Sequence, residues 1–190
     1  MSIVEAYSKE IDELLRHARE LAGDLTPMQL DWRPAPGRWS VGQNLDHIVR
    51  TGRPYLEAIR PHIAAARARV AAERAPLRPG WPGNFLVRSM EPPPRLRVRT
   101  FRRLQPATTH DREELLAAFE RFHREVAEAA RDTGADAWHA VRIRSPFFPL
   151  LGLTLGQAFA VLGAHGRRHL WQAGEVARAP GFPGAVAPAG

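Results

Sequence analysis

The chain has 190 residues, no cysteine, 44% apolar and 25% charged residues, and a formal net charge of +7. These proportions are those of an ordinary folded domain and exclude wholesale disorder, a collagen-like repeat and a disulfide scaffold. Without Cys there is no thiol nucleophile and no Cys-ligated zinc or iron–sulfur centre, so any metal must be held by His, Asp or Glu.

The positive charge raises nucleic acid as a partner, because Lys and Arg release counterions on neutralising phosphates. However, 26 of the 27 basic residues are Arg, scattered along the chain and interleaved with Glu and Asp. That distribution looks like compositional bias rather than a binding stripe, and nucleic acid is the least favoured partner. The first twenty residues carry charges every few positions, so no secretory signal is expected. No window reaches the ~18 uncharged apolar residues of a membrane span. The chain reads as soluble and cytoplasmic.

From the N-terminus, Val4, Ile11, Leu14, Leu15, Ala18 and Leu21 recur at spacings of three, four and seven, predicting an amphipathic first helix over 3–22 that stops near Gly23. The following stretch, LTPMQLDWRPAPGRWS, reads as a structured loop with at most a helical turn from Pro27. Ser40 and Gln43 form a capping box that opens the second helix. Its stripe is Val41, Leu45, Ile48, Ile59 and Ile63, and Pro54 and Pro61 predict a kink or split near Gly52.

Residues 74–106 hold seven prolines and form a long connection, in which Leu96 to Leu104 alternates and suits a short extended strand. The third helix follows Thr109, with Leu115, Phe119, Phe122 and Val126 inward and a stop at Gly134. A second loop ends in RSPFFPLLGL, after which Thr154 and Gln157 form another capping box and the fourth helix runs to about Ala177. The remaining tail, 178–190, has no periodicity and reads as flexible or loosely docked. The expectation is an all-α, single-domain four-helix bundle over 1–177, with a long Pro-rich connection between its second and third helices.

Of eight His residues, only His165 and His169 have metal-ligand spacing. Four apart on a helix, they lie on one face about 6 Å apart along the axis. They share a stripe with Ala158, Leu162 and Val176, so they interrupt an apolar seam and need partners. A metal would serve both; so would backbone carbonyls in an ordinary core, and spacing alone does not choose between these. His47, two turns into the second helix, is the best third ligand: antiparallel second and fourth helices would bring it level with His169.

His17, His62, His110, His123 and His139 stand alone and read as surface or boundary residues. Gly166, Arg167 and Arg168 fill the space between the paired His, so the glutamate of a zinc-protease helix is missing. No serine-hydrolase elbow, phosphate loop or dinucleotide fingerprint occurs.

The passage from Leu25 to Ile48, with Trp39 and His47 in W-x-x-x-x-x-x-x-H, resembles the DinB/YfiT-like superfamily, and so does the ending H-x-x-x-H-x-x-Q in SPFFPLLGLTLGQAFAVLGAHGRRHLWQ. The resemblance implies up-down-down-up topology and a divalent metal, Zn or Ni among the possibilities, on His47, His165 and His169. It also implies homodimers and, in some relatives, transfer chemistry with small thiols such as bacillithiol, mycothiol or glutathione.

Three imidazoles leave a coordination position open, as in catalytic and not closed structural sites. The expected activity is a small-thiol-dependent S-transferase or hydrolase acting on a small electrophile, with a non-catalytic metal-binding bundle of stress-response type as the alternative. Asn44 and Gln172 are placed to orient a ligand or an imidazole. Arg168 could reach an anionic group at the pocket mouth. Asp46 points about 100° away from His47 and is not assigned as a ligand, and Trp39 and Trp171 are expected to pack the bundle ends.

Overall fold

The computed structural model describes residues 1–93 and 101–184. Seven α-helices carry the fold: α1 (Ile3–Ala22), α2 (Pro27–Asp31), α3 (Val41–Ile59), α4 (Ile63–Ala71), α5 (Trp81–Met90), α6 (Arg112–Thr133) and α7 (Leu155–Ala177). A two-stranded antiparallel hairpin, β1 (Arg142–Arg144) and β2 (Gly152–Thr154), pairs Ile143 with Leu153. The fold is thus mostly helical with one small sheet.

Local chemistry accounts for the helix starts. Capping boxes open α1 at Ser2 and Glu5, α2 at Thr26 and Gln29, α3 at Ser40 and Gln43, and α7 at Thr154 and Gln157. In each, the cap hydroxyl accepts the N3 amide and the N3 side chain accepts the cap amide, satisfying two amides that the first turn leaves without partners. The Asp111 side chain caps α6, and Gly134, at φ 75°, stops it where a side chain would be strained.

The long helices α1, α3, α6 and α7 bury one apolar face each against the others. Tyr7 Oη donates to the Phe159 carbonyl at 2.9 Å, Glu10 pairs with Arg167, and Leu14 lies against Gly166, so α1 and α7 advance in the same direction. Gly42 lies beside His110, Gly52 against Phe122, and Arg53 pairs with Glu125, so α3 and α6 also advance together. Asn44 and His47, early in α3, instead meet His169 and His165, late in α7. Tyr55, late in α3, bonds Ser145 ahead of the α7 start.

Five features differ from the sequence expectations or add to them. The second helix does not split near Gly52: α3 continues through Pro54 to Ile59, and the break is a 3₁₀ turn at Arg60–His62, where Pro61 sits. Burial of Thr51, Gly52, Tyr55, Leu56 and Ile59 on both sides of Pro54 holds the helix against a penalty of about 3 kcal/mol. The Pro-rich connection contains α5, a ten-residue helix with Pro82 in its first turn, where a missing amide costs nothing.

Of the expected strand Leu96–Leu104, residues 96–100 lie outside the described residues, and Arg102–Leu104 form a 3₁₀ turn. The loop ending in RSPFFPLLGL begins and ends in the hairpin strands. The tail is docked as far as it is described: Phe182 is buried with its ring 5.5 Å from Trp32, and Gln29 bonds the Pro183 carbonyl.

Candidate metal centre

Ser40 starts α3 and Thr154 starts α7, and these two caps set the heights of the histidines. His47 lies on the second turn of α3, and His165 and His169 lie on the third and fourth turns of α7, all three buried. The ring centroids are 5.2 Å apart for His47 and His165, 4.6 Å for His47 and His169, and 4.5 Å for His165 and His169. One nitrogen from each lies within 4.8 Å of the other two. Three imidazole nitrogens on one tetrahedral zinc stand about 3.3 Å apart, so side-chain adjustments of about an ångström close the set.

Hydrogen bonds orient two of the rings. The Leu104 carbonyl, 3.0 Å from His47 Nδ1, can only accept, so Nδ1 carries the proton and Nε2 keeps a lone pair. The Asn44 amide donates to the Ser40 carbonyl at 2.8 Å, which makes Oδ1 the atom facing His169 Nδ1 at 3.1 Å. That oxygen also only accepts, so His169 likewise presents an unprotonated Nε2. The His165 ring has no hydrogen-bond partner among the described residues and faces the rings of His47 and His169.

Burial favours the uncharged forms. It lowers the His47 pKa to about 4, against the opposing influence of the Leu104 carbonyl and the Asp46 carboxylate. His165 and His169 are held well below the usual imidazole range, first by burial and then by the neighbouring imidazoles and Arg168. At neutral pH all three are therefore neutral donors with no proton to displace. A divalent cation suits this donor set, and the residues fit it.

Among the other expected residues, Asn44 is buried against His169. Gln172 is half-buried one turn past His169. Arg168 donates to the Ser89 carbonyl at 3.0 Å and so ties α7 to α5. Asp46 stays outside the histidine group, accepting from Arg50 Nε at 2.7 Å and the Ala107 amide at 2.8 Å. Trp39 is more than end packing: its ring lies 4.6 Å from His47 and 5.7 Å from His169, forming an aromatic wall of the site. Trp171 is half-buried.

The long connection supplies contacts that composition did not foreshadow. Leu104 bonds His47, Ser89 holds Arg168, and Glu91 pairs with Arg167. Thr51 Oγ1 stands 3.3 Å from each ring nitrogen of His47; its place one turn after His47 was the available signal.

Of the histidines expected at the surface or boundary, His123 is interior and His110 is half-buried. His123 is 2% exposed, bonded to the Phe119 carbonyl at 2.8 Å, and stacked 4.0 Å from the Phe119 ring. His110 bonds Asp31 at 2.7 Å and lies 3.6 Å from Asp46, and these two carboxylates outweigh burial and raise its pKa. The His110 partners lie far along the chain, whereas His123 bonds a carbonyl one turn earlier in its own helix. His17 is exposed and His62 half-buried, as expected, and His139 is half-buried with Nδ1 3.0 Å from Thr154 Oγ1.

A mostly helical fold with three buried imidazoles from two facing helices defines a helical protein whose interior allows a divalent metal site. A family model described as DinB superfamily matches residues 10–173, and the chain belongs to that superfamily. No curated protein and no solved structure matches the chain.

Proposed function

We propose that this chain is a divalent-metal-dependent enzyme, a small-thiol-dependent S-transferase or hydrolase acting on a small electrophile, with Zn or Ni held by His47, His165 and His169. The observation that carries the reading is the convergence of these three neutral imidazoles, one without any other partner, with no carboxylate among them. Such a donor set leaves a coordination position open. When bound, the metal supplies Lewis acidity, lowering the pKa of water or a thiol so that a nucleophile exists at neutral pH.

The chain's own residues do the rest. Asn44 and Leu104 hold His169 and His47 in the tautomers that present Nε2. Trp39 walls the site and limits water. Arg168, anchored on Ser89, gives a positive edge for an anionic thiol or substrate, and Gln172 offers an amide one turn away. The order of helix contacts supports up-down-down-up topology in one domain over 1–177. A homodimer in the cytoplasm is the accompanying expectation. Among the described residues no helix is long and apolar enough to cross a membrane.

Metal content of tag-free protein purified without chelator tests the reading, beside His165→Ala and His169→Ala. About one equivalent in the parent and none in the variants, followed by thiol consumption with small electrophiles, is the expected result. One equivalent without turnover would leave the second reading, a non-catalytic metal-binding bundle. Absence of metal and of Zn or Ni uptake would remove both. Nucleic acid is disfavoured further because many Arg side chains are paired, including Arg19, Arg53, Arg60 and Arg167.

A further inference from the structure

The carbonyl that orients His47 belongs to a segment with no helix or strand of its own to hold it. Leu104 ends the 3₁₀ turn Arg102–Leu104, is buried, and places its carbonyl 3.0 Å from His47 Nδ1. The chain then runs back along α3, with Leu104 at His47, Ala107 at Gln43 and Asp46, and His110 at Gly42. Among the described residues the backbone of 106–110 makes no hydrogen bond to other backbone. In a helix or sheet the ladder fixes each carbonyl; this strap must be fixed by side chains.

Three side chains do so. Gln43 Oε1 accepts the Ser40 amide, so Nε2 is its donor, and it reaches the Ala107 carbonyl at 3.2 Å. Asp46 Oδ2 accepts the Ala107 amide at 2.8 Å. Gln43 and Asp46 are three apart on α3 and share a face, and together they hold both polar groups of the Ala107 backbone as a neighbouring strand would. Asp31, at the end of α2, accepts the His110 amide at 3.0 Å and stands 2.7 Å from His110 Nδ1. Asp46 is itself held in place: Arg50 Nε donates to Oδ2 at 2.7 Å, and His110 Nε2 stands 3.6 Å from the same oxygen.

We propose that Asp46 is a positioning residue for the metal centre. By holding Ala107, three residues beyond Leu104, it keeps the Leu104 carbonyl on His47 Nδ1 and thereby keeps Nε2 free for a metal. A carboxylate is the stronger of the two anchors on Ala107, because hydrogen bonds to an ionised acceptor exceed neutral ones. In its bearing on metal the inference rests on the function proposed above, whereas the tautomer of His47 can be read without any metal.

Long-range proton–nitrogen correlation spectra of the metal-free protein at neutral pH report that tautomer, with the His47 signals assigned by their loss in His47→Gln. Asp46 is half-buried on the flank of α3, off its apolar stripe, so Asp46→Ala removes the acceptor without opening the core. The parent ring should carry its proton on Nδ1. In Asp46→Ala the Ala107 amide should exchange faster, the His47 proton should be shared between both nitrogens, and Zn affinity should fall by about tenfold. Asp46→Asn can still accept from the Ala107 amide but carries no charge, and it should restore the tautomer and most of the affinity. A parent ring protonated on Nε2, or an Asp46→Ala ring still protonated on Nδ1, overturns the proposal. So does an Asp46→Asn variant that behaves like Asp46→Ala, which would make the charge of Asp46 the cause. A parent that takes up no Zn, yet loses its tautomer in Asp46→Ala and regains it in Asp46→Asn, would end the metal reading and leave the hold of Asp46 on His47 established.

Discussion

The side-chain oxygen of Asn44 stands 3.1 Å from Nδ1 of His169, and because the Asn44 amide is committed to the Ser40 carbonyl at 2.8 Å, that oxygen is obliged to accept. The first turn of α3 thus dictates which nitrogen of an α7 histidine carries the proton, 125 residues further along the chain. Orienting partners of this kind commonly contribute a factor of roughly 10 to 100 in metal affinity. Asn44→Ala should weaken Zn binding by roughly that factor, read by competition against a chromophoric chelator. Unchanged affinity would show that His169 is oriented by packing alone.

His165 gives the opposite kind of test. It is buried and makes no hydrogen bond among the described residues, so in chelator no protein hydrogen bond offsets the desolvation of its ring. His165→Leu should match or exceed the parent's thermal stability in the presence of chelator. It should also lose the upward shift that added Zn gives the parent. A variant much less stable than the parent in chelator would mean that the imidazole is satisfied in the metal-free protein.

Acid sensitivity follows from His123, whose pKa burial lowers to about 4 despite the Phe119 carbonyl. The unfolded chain takes up this proton near pH 6.5, before the folded chain does. Stability from this residue is therefore complete above about pH 6.5 and is lost as pH falls toward about 4, at about 1.4 kcal/mol per pH unit. His123→Gln can keep a donor for the Phe119 carbonyl and cannot ionise. Urea midpoints measured between pH 7 and 4 should fall less steeply for the variant, whatever its stability at pH 7. Parallel slopes would count against the buried neutral ring.

Close approach of α3 and α6 depends on Gly52. A Cβ there would lie 2.1 Å from Phe122 Cζ, too near for any side chain without displacement of the ring. Gly52→Ala should therefore destabilise, by about 1 to 3 kcal/mol for an overpacked core, although alanine is the better helix former. Combining it with Phe122→Leu should recover part of the loss in a double-mutant cycle. Additive losses would place the strain elsewhere.

The sequence by itself determined the four long helices, because their apolar spacing, the capping boxes at Ser40 and Thr154 and the stop at Gly134 are local signals acting over three or four residues. It also singled out His47, His165 and His169, since i, i+4 spacing on an apolar stripe is a one-helix property and the Trp39–His47 passage carried a family likeness. Helix α5, the hairpin and the docking of Phe182 were not legible, because they are stabilised by contacts made across the chain. Pro54 shows the same limit: its local penalty is outweighed by burial of Tyr55, Leu56 and Ile59.

Tertiary structure decided the distant partners of His47, His110 and His169. Leu104 reaches His47 from 57 residues away, and Asp31 reaches His110 across 79. Backbone carbonyls carry no residue-type signature, so no pattern of side chains could announce the Leu104 contact. Desolvation, which keeps the three imidazoles neutral, likewise depends on what surrounds them in space and is absent from the order of the residues.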